Sequence, residues 1–152
     1  MQLLVFELAA VRYAVGLERV REVARAAFVT PLPEAPDVVE GVVDVRGRLT
    51  PVFDLRLRFG LPLKPLHPDD VLVVVDAGEG LAALRCDRAD RVLTVAADAV
   101  ASSPPLLHAS AAVAGVARLP DGLALIHDPA AFLTEAERIT LDAALAQAAR
   151  AG

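Results

Sequence analysis

Cysteine occurs once in these 152 residues, tryptophan not at all, and aromatic residues make up only 4%. The lone Cys86 excludes an internal disulfide and fits a reducing cytosol. Because 55% of the residues are hydrophobic, the interior has to be assembled from Val, Leu and Ala. Positive charge is not in excess. A formal net charge of −5 and a pI near 5.1 argue against a binder of nucleic-acid phosphates. No uncharged apolar run approaches the roughly 20 residues of a spanning helix. Met1–Leu8 has no basic stretch and is interrupted by Glu7, so no signal peptide is expected. These features predict a cytoplasmic protein without membrane insertion, long enough for one domain or two small lobes sharing a core.

Catalytic and metal-binding patterns are also missing. His67, His108 and His127 stand far apart, with no Cys/His spacing that would gather two ligands. Cys86 reads as a buried, inert thiol, and His127, in an apolar strand, as a hydrogen-bonded packing residue. There is no G-x-S-x-G elbow. Gly78-x-Gly80 follows an apolar run but leads into another strand, so it is a turn rather than a dinucleotide loop. Asp69-Asp70 and the Asp87/Asp90 pair read as solvated carboxylates. No catalysis, metal or cofactor is expected.

What is present is a series of short apolar runs divided by turn residues. Leu3–Leu8 and Val11–Val15 read as strands, and Leu17–Arg25 as a strand continuation or a short helix. Val71–Val75 and Leu81–Cys86 flank a turn, Val92–Val95 adds a strand, and Val113–Leu119 with Leu123–His127 make a last hairpin around Pro120-Asp121-Gly122. Loops fall at Pro31–Pro36, Gly60–Asp70 and Ser102–Pro105. Many short strands at close spacing predict an all-β barrel or sandwich. From Thr134 the pattern changes. Thr134 with Glu137 forms a capping box, and Ile139, Leu141 and Leu145 give a moderate stripe. A domain over 1–133 and a helical tail over 134–152, docked weakly if at all, are expected.

The most organised stretch is GVVDVRGRLTPVFDLRLRFG, residues 41–60. Leu49, Pro51, Phe53, Leu55, Leu57 and Phe59 alternate with polar residues, which predicts one strand throughout. A three-residue turn, Arg46-Gly47-Arg48, would set Val45 opposite Leu49 and Val43 opposite Pro51, with Gly47 at positive φ. Glu22, Arg46, Asp54, Arg56 and Arg58 then read either as a solvated outer face or as polar groups of a protein interface.

These residues carry a resemblance. Gly41-Val42-Val43-Asp44-Val45-Arg46-Gly47 followed by Pro51-Val52-Phe53-Asp54-Leu55 resembles the signature of the CheW-like family of chemotaxis coupling proteins. Val20-x-Glu22-Val23, LRCDRADRVLTV and LALIHDPAAFL resemble further blocks of that family, in order, to about Leu133. The resemblance implies two small five-stranded SH3-like β-barrels packed around a shared core, with a short C-terminal helix. It implies a non-catalytic adaptor, monomeric outside receptor arrays. Such an adaptor couples the cytoplasmic tips of methyl-accepting receptors to the regulatory domain of a CheA-type histidine kinase. Carried over position by position, Arg46, Gly47, Glu22, Val20 and Leu17 match protein-contact positions, and Gly41 and Asp54 match structural ones. Asp44, Cys86 and His127 depart from the usual residues. Two alternatives stand beside this reading. One is an accessory adaptor that binds receptors without docking the kinase. The other is a ligand-binding or enzymatic small barrel, for which no motif supplies a polar pocket.

Overall fold

The computed structural model describes residues 1–102 and 113–151. His108 and most of the Ser102–Pro105 break lie outside them. Eleven strands among the described residues form two sheets: β1 (Gln2–Leu8), β2 (Val11–Gly16), β3 (Val20–Arg25), β4 (Val39–Val45), β5 (Arg48–Phe53), β6 (Val71–Asp76), β7 (Leu81–Cys86), β8 (Arg88–Thr94), β9 (Val100–Ser102), β10 (Val113–Leu119) and β11 (Gly122–His127). One sheet runs β3-β6-β7-β5-β4 and the other β8-β1-β2-β11-β10-β9. The N-terminal hairpin therefore joins the C-terminal strands, and the lobes are intertwined. Pairing is antiparallel except for β2 with β11 and β5 with β7.

Alternation along the strands explains why the sheets pack as two small barrels. In β1, Leu3 and Val5 enter a cluster inside the six-stranded lobe, with Ala14, Ala117 and Ala124. Leu4, Phe6 and Leu8 point the other way, into a larger core shared by both lobes. In β6, Leu72 and Val74 fill the five-stranded lobe, whereas Val73 and Val75 face the shared core. A strand covered on both faces reads as a continuous apolar run, as LLVF and VLVVV do. The second lobe has six strands rather than five because residues 88–102 supply both β8 and the short β9.

Three local expectations are corrected. The β4–β5 turn has two residues: Val45 pairs with Arg48, Val43 with Thr50 and Val42 with Pro51. Arg46 (φ 50°) and Gly47 (φ 83°) are both left-handed, as a type I′ turn requires, and Asp44 Oδ1 accepts the Gly47 N–H at 2.7 Å. The faces mix near the turn, where Arg48 stands opposite Val45 and Leu49 opposite Asp44, and the register is held toward the base of the hairpin, where both faces are buried. Val42 and Phe53 reach the shared core, and Val43, Val45 and Val52 the lobe's own cluster. Pro51 removes no ladder bond to β4, since Val42 exchanges its N–H and C=O with Thr30 on the other side.

The strand also stops at Phe53. Asp54 Oδ1 caps α1 (Leu55–Phe59) by accepting from Arg56 N at 3.1 Å and Leu57 N at 3.4 Å, and Gly60 (φ 69°) ends it. Leu55 and Phe59 lie one helical turn apart and both reach the shared core. For residues 17–25, a single 3₁₀ turn (Leu17–Arg19) precedes β3.

Finally, the tail helix, α2 (Glu135–Ala151), is docked. Leu141 and Ala144 are buried in the shared core, and Leu145 and Ala148 pack against it, although Ile139 is exposed. Arg58 pairs with Glu137, and Arg138 with Glu79 at 2.8 Å. The Thr134–Glu137 capping box forms reciprocally.

Candidate functional site

The two outer strands of the five-stranded sheet, β3 and β4, face one another across an open seam. Val42 is bridged to Thr30 there, and Gly41 makes that crossing feasible: a Cβ at 41 would meet Thr30 O at 2.3 Å. Above this bridge the seam opens into a largely apolar groove of about 530 Å³. Leu72 and Val74 line it from β6, Ala24 from β3, and Val43 and Val45 from β4. Phe28, 88% exposed, and Leu49 stand at its margin.

Charge sits on the rim. Arg46, at the first central position of the turn, has 85% of its side chain in solvent, and its Nε lies 4.0 Å from Glu22 Oε1. Glu22 owes its orientation to a β-bulge. Val20 pairs with Val75 but Glu22 pairs with Val74, so Arg21 is an extra residue. Without it Glu22 would follow Val20 onto the shared-core side. With it, Val20 packs toward the shared core while Glu22 lines the groove.

The structure thus brings Arg46, Gly47 and Glu22 together on one surface. It places Val20 and Leu17 beneath, partly buried against the shared core, where they support that surface more than they present it. Gly41 and Asp54 act on the backbone, at the Thr30 crossing and the α1 cap.

An ion pair this exposed contributes little, about 0–1 kcal/mol. Both partners are therefore available to a third group. Apolar ground ringed by exposed charge is the anatomy of a protein contact rather than of a reaction centre.

Several charged residues expected in solvent are buried instead. Arg56 lies inside the fold with Nη2 2.6 and 2.5 Å from the two Asp87 oxygens. Asp70 is buried against Arg85, and Arg58, only partly buried, lies over the Phe132 ring at 5.4 Å. His127 packs between the rings of Phe59 and Phe132. Cys86 is buried, which pushes its thiol up to about 12 and keeps it protonated and unreactive.

Patterning does not single out Phe28 or the groove, since a seam between strands far apart in sequence leaves no periodic trace. Arg85 did leave one, as a lone arginine inside the apolar run LAALRC.

The comparisons agree with this architecture. The family profile described as the CheW-like domain matches residues 2–137. The chemotaxis protein CheW of Klebsiella aerogenes is 24% identical over 143 residues, 93% of this chain and 86% of that protein. CheW of Treponema pallidum is 29% identical over 110 residues, 70% of this chain and 65% of that one. Among solved structures, the scaffolding protein TtCheW from Thermoanaerobacter tengcongensis superposes with a TM-score of 0.76 at 29% identity, over 82% of this chain and 86% of that one.

Proposed function

The chain belongs to the family of CheW-like domains, and we propose that it joins the cytoplasmic tip of a chemoreceptor to the regulatory domain of a CheA-type histidine kinase. As a member of that family it is a scaffolding adaptor of chemotaxis and not an enzyme. No helix among the described residues is long and apolar enough to cross a membrane. Work at the cytoplasmic face, beside receptors anchored by other chains, belongs to the same proposal.

The observation that supports partner binding here is the groove between β3 and β4, with Phe28 at its margin and Arg46 and Glu22 on its rim. An aromatic ring held in water costs free energy until a partner covers it, and such rings are frequent binding hot spots. The test is titration of the intact protein against a receptor-tip fragment and, separately, against the kinase regulatory domain, using wild type and Phe28→Ala. The variant should melt like wild type and lose about tenfold or more in affinity for at least one partner. Wild-type binding to neither partner would overturn the adaptor reading. Binding to the receptor alone would replace coupling by an accessory role. Unchanged affinities in the variant would move the contact away from this groove.

A further inference from the structure

At the opposite end of β4 from the Arg46 turn lies a cluster of charges that the binding surface does not use. Arg85, on β7, is 4% exposed. Its Nη1 is 3.0 Å from Asp70 Oδ2, its Nε 2.6 Å from Glu40 Oε2, and its Nη2 3.8 Å from Asp54 Oδ1. Lys64 reaches Asp70 at 3.3 Å and Asp87 at 3.7 Å, and Asp87 is held by Arg56. Four carboxylates therefore face three cations. The connected set carries one negative charge too many, in a place where an unbalanced charge is expensive.

The geometry shows which carboxylate is least well served. Asp70 accepts from His67 N, Arg85 and Lys64. Asp87 accepts from Arg56 and from Ala9 N, and Asp54 from two N–H groups of α1. Glu40 Oε2 is buried and meets only Arg85 Nε, at 2.6 Å and poorly aligned, with no second donor among the described residues. Glu40 is also the extra residue of a β-bulge, since Val39 pairs with Phe53 and Gly41 with Val52.

The same arginines fasten a loop. Arg85 donates to Lys64 O at 2.8 Å and to Pro65 O at 3.3 Å, and Arg56 donates to Pro62 O at 3.1 Å. Lys64 and Asp70 belong to that proline-containing connection, whereas Glu40 and Arg85 sit on strands.

We propose that this cluster is a proton-operated latch: the protein folds with one proton on Glu40, and releasing that proton loosens the loop at 61–70 from Arg85. Ionised Glu40 would compete for the guanidinium and repel Asp54 and Asp70. Among these, Asp70 is on the loop that Arg85 and Arg56 fasten. Burial first, with Asp54 and Asp70 adding to it and Arg85 opposing, raises the Glu40 carboxyl from 4.5 to about 7. Burial would also raise Asp70 and Asp87, but the donors around them outweigh it and both lie below the ordinary range.

The sign follows. The folded protein keeps the Glu40 proton up to about pH 7, whereas the unfolded chain releases it near 4.5. This contribution to stability is complete below pH 4.5 and is lost as the pH rises through 7.

The experiment follows the Glu40 carboxyl carbon by NMR from pH 5 to 9 in the wild-type protein, assigned by its disappearance in Glu40→Gln. In parallel, unfolding is measured in both proteins. The Glu40 midpoint should fall near 7. The wild-type unfolding constant, divided by that of Glu40→Gln, should climb by up to about tenfold per pH unit between pH 5 and 7 and then level off. Contributions common to both proteins cancel in the ratio. Amide exchange over 64–70, corrected for its intrinsic rate, should quicken across the same interval in wild type only. A Glu40 midpoint below pH 5, a flat ratio, or loop exchange that follows the same course in both proteins would each overturn the latch. Should Glu40→Gln fail to fold, the Glu40 carboxyl carbon is assigned through its bonds to the Glu40 backbone in the wild-type protein, and a midpoint below pH 5 or exchange over 64–70 that does not quicken as Glu40 titrates overturns the latch.

Discussion

Strand β4 carries charge at both ends, and the two ends behave in opposite ways. At its start, Glu40 is enclosed with Arg85, Asp54 and Asp70. At its finish, Arg46 projects from a tight turn and faces Glu22 at 4.0 Å across open solvent. The residue types are the same, a guanidinium and carboxylates. At the buried end each charge has lost its water, so removing one partner leaves the others uncompensated. At the exposed end the same removal leaves a solvated side chain and little more. Burial decides whether an arginine belongs to the fold or to a contact.

The sharpest way to break this comparison is Arg85→Met. It keeps the aliphatic bulk but leaves Glu40 and Asp70 without their guanidinium and frees the carbonyls at 64 and 65. A loss of about 3–5 kcal/mol is expected in chemical denaturation at neutral pH. A loss under about 1 kcal/mol would mean that water or rearrangement replaces the guanidinium, and the two ends of β4 would not differ as argued. Next in size is Leu141→Ala on α2. The side chain is buried in the shared core, so truncation should cost about 2–4 kcal/mol. A melt like that of wild type would return the helix to a loosely attached tail.

Much of the fold was legible because the strands are short, apolar and separated by turn residues. The hairpins β6–β7 and β10–β11 lie where alternation and Gly/Pro/Asp punctuation put them. Periodicity misled where two faces are buried at once. In β4–β5 it favoured a three-residue turn, because a strand with two cores has no polar face to mark the register. It also extended β5 through Leu55, Leu57 and Phe59, where one aspartate cap and Gly60 were enough to make a helix. Of the site, patterning offered Arg46 and Glu22 only as solvated or interface charges and Gly47 as a turn residue, and resemblance to a family was needed to single them out as contact positions. Phe28 carried no signal, and the bulge that turns Glu22 outward depends on pairing partners more than fifty residues away.

The turn offers a smaller test. Gly47 sits at φ 83° with nothing among the described residues within 4 Å of the place a Cβ would occupy, so a substitution there meets backbone strain alone. Gly47→Val should cost about 1–3 kcal/mol in thermal or chemical unfolding. Gly47→Asn, which tolerates this conformation better, should recover part of the loss. Equal melts for wild type and Gly47→Val would rule out the type I′ turn and with it the present position of Arg46.

The smallest effect on stability is expected from Arg46→Ala, and the comparison depends on it most. The side chain is 85% exposed and its one ion-pair contact among the described residues is at the distance limit, so unfolding should shift by under about 0.5 kcal/mol. Binding is another matter. A guanidinium that is not committed within its own chain can donate several parallel hydrogen bonds to a partner's carboxylates or carbonyls, and arginine is over-represented among interface hot spots. Truncation should then weaken binding to a receptor tip, to the kinase regulatory domain, or to both by about thirtyfold, on the order of 2 kcal/mol. Asp44, two residues away, turns Oδ1 to the Gly47 N–H at 2.7 Å, while the ion-pair partner of Arg46 among the described residues is Glu22. Arg46→Lys separates charge from shape: a lysine that restores less than half of the lost binding energy indicates that the planar fork is being read, whereas full rescue reduces the contact to a point charge. Affinities unchanged in Arg46→Ala would remove this arginine from the interface. A melt lowered by several kcal/mol would make it part of the fold after all, as Arg85 is at the other end of the strand.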